Sequence, residues 1–200
     1  MRSPTPRARS KRNGPRVREE ALVIARRLLL ERGPRAVTLA NVGHELGMTH
    51  ANVIYHFGSA ADLQSTLMES MIKDLIAALD TIRADAGAPV IVVDQMFDAF
   101  GKGGAGSLAA WIILSGNAAR LEPVRNAVKA LVAAIVDQTG DVETARGVHE
   151  AVLMMTLMAF GDAVIGPYIR DMLDERNDAA VGLAARVLPH LLRPSGGPAS

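Results

Sequence analysis

Cysteine is missing from all 200 residues. That absence excludes disulfide staples and thiolate zinc sites, and it is compatible with a reducing cytosol. Charge of one sign is missing as well. The chain has 22 Lys and Arg against 21 Asp and Glu, a net charge of +1, so the whole molecule is not a polycation. No signal peptide is visible. The longest apolar run, around Ala151 to Phe160, contains Thr156 and falls short of the ~20 residues that cross a bilayer. We therefore expect a cytoplasmic chain with no membrane partner. Strand patterning is confined to Val90 to Val93, and one isolated run cannot make a sheet. There is no internal repeat.

Catalytic and metal motifs are also lacking. The loop from Gly101 to Ser107 looks like a phosphate cradle, but it follows a helical pattern, and Gly106 rather than Lys precedes Ser107. His149 and Glu150 begin like a zinc-protease helix, but Leu153 stands where the second His is required. His44, His50, His56 and His190 show no ligand spacing. No Ser/His/Asp set sits on a recognisable elbow. The sequence predicts no enzyme, no metal and no cofactor.

What is present is apolar content and polarised charge. Hydrophobic residues make up 49% of the chain, enough for a sizeable core and a subunit interface. Arg2, Arg7, Arg9, Lys11, Arg12, Arg16 and Arg18 all precede the first acidic residue, Glu19. Pro4, Pro6, Gly14 and Pro15 work against helix formation, so residues 1–15 read as a disordered basic arm. Such an arm gains affinity by releasing counterions from phosphates and can reach into a minor groove. An ordinary basic terminus is the plain alternative. A transit peptide fits less well, because the segment lacks an amphipathic apolar face.

The segment from Thr38 to Leu63 has the layout of a helix-turn-helix. Thr38 can cap a helix in which Leu39, Val42 and Leu46 share one buried face. Gly43 sits where two helices would cross. Gly47 stands where a helix end needs positive φ, and Met48 would plug the turn. Thr49 is a second cap, with Asn52 three residues on in a weak version of the capping box. Val53 and Phe57 would pin the second helix to the core. His50, Ala51, Asn52 and Tyr55 are left facing outward. A generic helical hairpin has the same spacing, so the basic arm adds weight to the DNA reading.

The rest reads as helix almost throughout. A first helix spans Arg16 to Arg32, with Ala21, Leu22, Ala25, Leu28 and Leu29 in one stripe, and Gly33-Pro34 stops it. A long helix starts at Asp62 and ends near Gly87. Further helices are expected over Val90 to Phe100 (Pro89 in its first turn), Ser107 to Ala119, Pro123 to about Gln138, and Asp141 to Ile165, where Gly166-Pro167 ends the pattern. A short helix from Tyr168 to Glu175 and a last one from about Asp178 to Leu192 complete the chain. The fold class is all-α with about nine to ten helices. A three-helix head over 16–61 is followed by a helical body over 62–192 and a disordered Pro/Gly/Ser tail over 193–200.

At this point the chain resembles the TetR family of bacterial transcriptional regulators. The residues that carry the likeness are Thr38, Gly47, Thr49, Asn52, Tyr55, His56, Phe57, Gly58 and Leu63, over about residues 16 to 80. The resemblance implies that His50, Ala51, Asn52 and Tyr55 lie toward base edges. It places Thr38, Thr49 and His56 toward phosphates. Arg9, Lys11, Arg12 and Arg16 of the arm complete the DNA-binding set. Two positions depart from the family pattern: Ile54 stands where many members carry Tyr, and Ala60 where many carry Lys. Both family residues usually touch phosphate.

The family is dimeric, and the residues give a physical reason to expect the same here. The helix from Asp141 to Ile165 is apolar nearly all round, so it must be buried on several sides. With the last helix it would form a four-helix bundle about a two-fold axis. Val148, Val152, Met155, Ala159, Val181, Ala184 and Leu188 are the expected interface, with burial inside one protomer as the alternative. Met96, Phe97, Phe100, Trp111, Leu114, Met155 and Met158 are the expected lining of a pocket for a small apolar ligand, with plain core as the alternative. Asn117, His149 and Asp162 could add polar contacts. Two functions from different classes follow. One is a homodimeric, ligand-responsive regulator of double-stranded DNA, acting as a repressor on a palindromic operator. The other is a helical small-molecule- or partner-binding protein without specific DNA affinity.

Overall fold

The computed structural model describes residues 14–84, 89–137 and 142–192. Among them are nine α-helices and no strand: α1 (Gly14–Arg32), α2 (Leu39–Leu46), α3 (His50–Phe57), α4 (Ala60–Ala84), α5 (Pro89–Phe100), α6 (Ala105–Leu114), α7 (Glu122–Val136), α8 (Val142–Met172) and α9 (Ala179–Leu191). Short 3-10 turns cover Pro34–Ala36 and Ala118–Leu121. The tail over 193–200 and residues 1–13 of the arm lie outside the described residues. The last two residues assigned to the arm, Gly14 and Pro15, belong instead to the first turn of α1. Proline is tolerated there because a first-turn amide has no intrahelical acceptor in any case.

The helices close around two cores. In the first, Ala25, Leu28 and Leu29 of α1 meet Val42 of α2, Val53 and Phe57 of α3, and Leu63 and Leu67 of α4. Leu108 and Ile112 of α6 complete it. In the second, Leu75 and Leu79 of α4 meet Phe97 and Phe100 of α5, Met155 and Ala159 of α8, and Ala184 and Leu188 of α9. Each fully buried Leu or Phe stabilises by about 1.5–3 kcal/mol over its exposed state. The expected boundary between residues 61 and 62 does not divide these cores. The division falls within α4, between Ile72 and Leu75, and α6 sides with the head.

Two helix ends differ from expectation. The helix from Ser107 stops at Leu114, not Ala119, because Gly116 turns the chain at φ 74°. Conversely, Gly166-Pro167 does not stop α8, which runs on for 31 residues with Pro167 inside it. The side chains of Asp162 and Arg170 pair across two turns, over the bare surface of Gly166, and brace the segment where Pro167 donates no amide. The separate helix expected over Tyr168 to Glu175 is therefore mostly the end of α8. That continuity overturns the expectation on apolar length, since the 28 residues Ala145–Met172 include an 18-residue window of mean hydropathy 1.6 and have the length and composition to cross a membrane. The inner face of α8 packs on α5, α6 and α9, while much of its outer face stays open.

Candidate nucleic-acid interface

The head is built as its residues dictate. The Asn41 amide donates to Thr38 Oγ1 at 3.1 Å, which caps α2. Gly47 ends α2 at φ 62°, a conformation that costs other residues dearly. The Met48 amide then returns to the Gly43 carbonyl at 2.8 Å. A Cβ on Gly43 would lie 3.1 Å from Val53 Cγ2 and 3.2 Å from the Met48 carbonyl, so α2 and α3 cross at a residue with no side chain. The Asn52 amide donates to Thr49 Oγ1 at 3.4 Å and caps α3.

Val53 and Phe57 are buried, so the opposite edge of α3 faces out. His50, Ala51 and Asn52 are exposed there, and Tyr55 is 86% exposed. His56 is half-buried and meets the Tyr55 ring edge-on, with centroids 5.4 Å apart. Thr49 is exposed and Thr38 half-buried, each with its hydroxyl committed to a cap. Ile54 is 41% exposed on the same helix. Arg16 is exposed on α1, where it pairs with Glu20 at 3.0 Å. Arg9, Lys11 and Arg12 lie outside the described residues. A Cβ on Gly14 would lie 3.9 Å from His56 Cε1, so the start of α1 lies beside α3.

Arg18 has a role the sequence did not disclose. It counts toward the basic run, yet its guanidinium donates to the His56 carbonyl and stacks 4.8 Å over the Phe57 ring. A cation at the carboxyl end of α3 suits the helix dipole and ties the recognition helix to α1. The signal lay in register, because Arg18 flanks buried Val17 and Ala21.

α1 is fastened to its neighbours by two more pairs. Arg26 meets Asp74 of α4 at 2.8 Å, and Arg27 meets Glu45 of α2 at 2.8 Å. The hydrogen bond and charge of Arg27 hold the Glu45 carboxyl below its ordinary pKa and raise that of Arg27. The buried Gln64 amide donates to the Val37 carbonyl at 3.0 Å, which leaves α4 anchored beneath the head.

The expected ligand residues are only partly brought together. Phe97, Phe100 and Met155 are buried in the second core, with Met96 and Met158 packed against it. Trp111 is not among them, since its ring lies under Arg35 at 5.5 Å, at the junction of the first core and α6. Leu114 is 85% exposed. A groove of about 660 Å³ does exist, between the second half of α8 and the start of α9. It is lined by Leu157, Met158, Asp162, Ile169, Arg170 and Leu183, among others, so only Met158 was anticipated as lining and Asp162 as a polar contact. The Asn117 side chain donates to the Ser115 carbonyl at 3.2 Å, and His149 Nδ1 is 2.8 Å from the Ala145 carbonyl.

The expected dimer residues need correction too. Val148, Met155, Ala159, Ala184 and Leu188 are buried within the protomer, and Val152 and Val181 are half-buried. The large apolar residues α8 leaves open are Val142, Leu153, Leu157, Val164, Ile165, Tyr168, Ile169 and Met172. A helix apolar all round carries no mark of which face its own chain will claim.

The phosphate-like loop is spent locally, with Lys102 paired to Asp98 at 2.8 Å and the Ser107 hydroxyl donating to the Gly104 carbonyl at 3.0 Å. No group of three or more metal-ligating side chains occurs among the described residues.

Comparison with known proteins decides what the head is. Residues 21–64 match the family described as bacterial regulatory proteins, tetR family. The head is that of the TetR family. The match spans α1 to the first turn of α4, the helices that bury the recognition helix. A likeness in fold to solved structures extends well beyond the head. The multidrug binding protein EbrR, solved with ethidium, aligns with a TM-score of 0.61 at 19% identity, over 90% of this chain and 99% of that one. A protein from Saccharomonospora viridis, solved with choline, aligns with a TM-score of 0.54 at 16% identity, over 88% and 94%. At these identities the likeness is one of fold. No curated protein sequence matches the chain.

Proposed function

We propose that this chain is a homodimeric, ligand-responsive DNA-binding regulator that represses transcription from a palindromic operator. The observation that carries the reading is the free edge of α3. A helix capped at one end by Thr49, held at the other by Arg18 and rooted by Val53 and Phe57 presents His50, Asn52 and Tyr55 to solvent. Asn can bond adenine bidentately in the major groove, and His and Tyr can contact a base or a phosphate. The open apolar face of α8 supports pairing with a second copy, because exposed patches of that extent mark interaction surfaces. A two-fold pair would set two recognition helices on two half-sites. EbrR bound to ethidium and the Saccharomonospora viridis protein bound to choline support a small organic effector. DNA binding of this kind places the protein in the cytoplasm.

The test is selection from a random duplex pool, followed by mobility shift on the selected sequence. A palindromic consensus should emerge, and its binding should weaken steeply with salt. Asn52→Ala with Tyr55→Ala should cost about 1–3 kcal/mol for each lost base contact. Weak binding equal for all sequences would instead establish the helical binding protein without specific DNA affinity. Strictly monomeric protein in sedimentation would remove the dimer.

A further inference from the structure

Arg120 is where the α6–α7 connection grips the root of α4, directly behind α3, by charge. It stands in the 3-10 turn Ala118–Leu121, just after Gly116 ends the α6 segment. Its guanidinium pairs with Asp62 in the first turn of α4, and its carbonyl accepts the Ser65 hydroxyl one turn further on. Asp62 is itself shared. Its carboxylate accepts the Ser59 hydroxyl at 2.5 Å, and its amide donates back to Ser59 Oγ at 3.1 Å. Ser59 follows Gly58, which closes α3 at φ 82°. A Cβ on Gly58 would lie 3.2 Å from Asp62 Oδ2. A short run of polar contacts thus links the α6–α7 connection to the end of α3.

We propose that Arg120 is a latch that sets the tilt of α3 against the α6–α7 connection, so that a displacement of the 118–121 turn re-aims the recognition helix. This rests on the reading of α3 as a DNA-docking element and deepens it with a positioning residue. The pair is suited to control pose rather than stability. The side chains of Arg120 and Asp62 are 42% and 40% exposed, and ion pairs so open to water contribute little to folding. Cutting the pair strands no buried charge, so the fold should survive.

The lack of cysteine makes the test clean. His44→Cys adds one spin label per protomer on the exposed surface of α2, and dipolar spectroscopy on the full-length protein then reads the distance between heads. Arg120→Met and Asp62→Asn should each broaden and shift that distribution. The double variant should do no more than Asp62→Asn alone, because once the Asp62 charge is gone Arg120→Met has no pair left to remove. Arg146→Met, which breaks an exposed pair with Glu150 on α8, should leave the distribution as in the wild type. An unchanged distribution in Arg120→Met, or additive effects in the double variant, would overturn the latch. A missing dipolar signal would sink the dimer and not the latch. Labels at His44 and Asn126 within one protomer would then decide it by the same criteria.

Discussion

The first core is closed by polar caps at its helix ends, whereas the second lies under a helix whose outer surface stays broadly apolar. Around the first, Thr38, Thr49 and Ser59 cap the entering helices, Gln64 satisfies the Val37 carbonyl, and the outward edge of α3 is largely polar. Around the second, Phe97, Phe100 and Met155 are sealed, yet the outer surface of α8 stays apolar. Leu153 is 61% exposed, Tyr168 71% and Met172 79%. Water tolerates scattered exposed apolar residues but penalises a continuous stripe. One region is specified by its own chain, and the other is specified together with whatever covers it.

The sharpest way to break this contrast is at the centre of the first core. Leu63→Ala should cost about 2–5 kcal/mol, as cavity-forming Leu truncations do. Urea unfolding followed by amide exchange should show α6 losing protection together with the head. Protection in α6 unchanged while the head melts would mean the first core is not one unit.

Gly106 tests the join between the regions. A Cβ there would lie 2.6 Å from that of Ala163 on α8, so Gly106→Val should cost about 1–3 kcal/mol by overpacking. It should also split one calorimetric transition into two. A single transition at the wild-type temperature would show that α6 does not couple the cores.

Thr38→Ala removes a cap and should cost about 0.5–2 kcal/mol, read as a lower midpoint in urea with an unchanged slope. The smallest effect concerns Glu45. Its folded pKa is depressed by Arg27, so its contribution is full above the ordinary carboxylate value, about 4.3, and fades as pH falls through the folded value. Glu45→Gln should therefore lose less thermal stability on acidification than the wild type, and parallel curves would discount the pair.

The head was legible because its signals are local. A cap, a glycine and an apolar position each act within a turn or two, so Thr38, Gly47, Thr49, Val53 and Phe57 all stand where the sequence placed them. The body was legible in helix type but not in partnership. Periodicity says that a face of α8 is buried, not against what, and five of the seven residues inferred for the interface are buried within one protomer. Gly166-Pro167 misled for a related reason. The brace from Asp162 to Arg170 spans eight positions, beyond any local rule for ending a helix. Trp111 and Leu114 were grouped with the pocket because α6 looked like part of the body, and only packing reveals that it serves the head.

The placement of α4 across both cores bears on how such proteins can be recombined. A graft cut at residue 61 would strip Leu63 and Leu67 from the partners that bury them and give a chimera with a ruptured interior. Splicing between Ile72 and Leu75, with the α6 segment carried along, would keep the fully buried residues of each core together, and Ile76, Leu121, Val124 and Val128 would then have to match the new head. Inserting even one residue into that splice would rotate everything beyond it by about 100°, so the exchange tolerates new sequence but not new length.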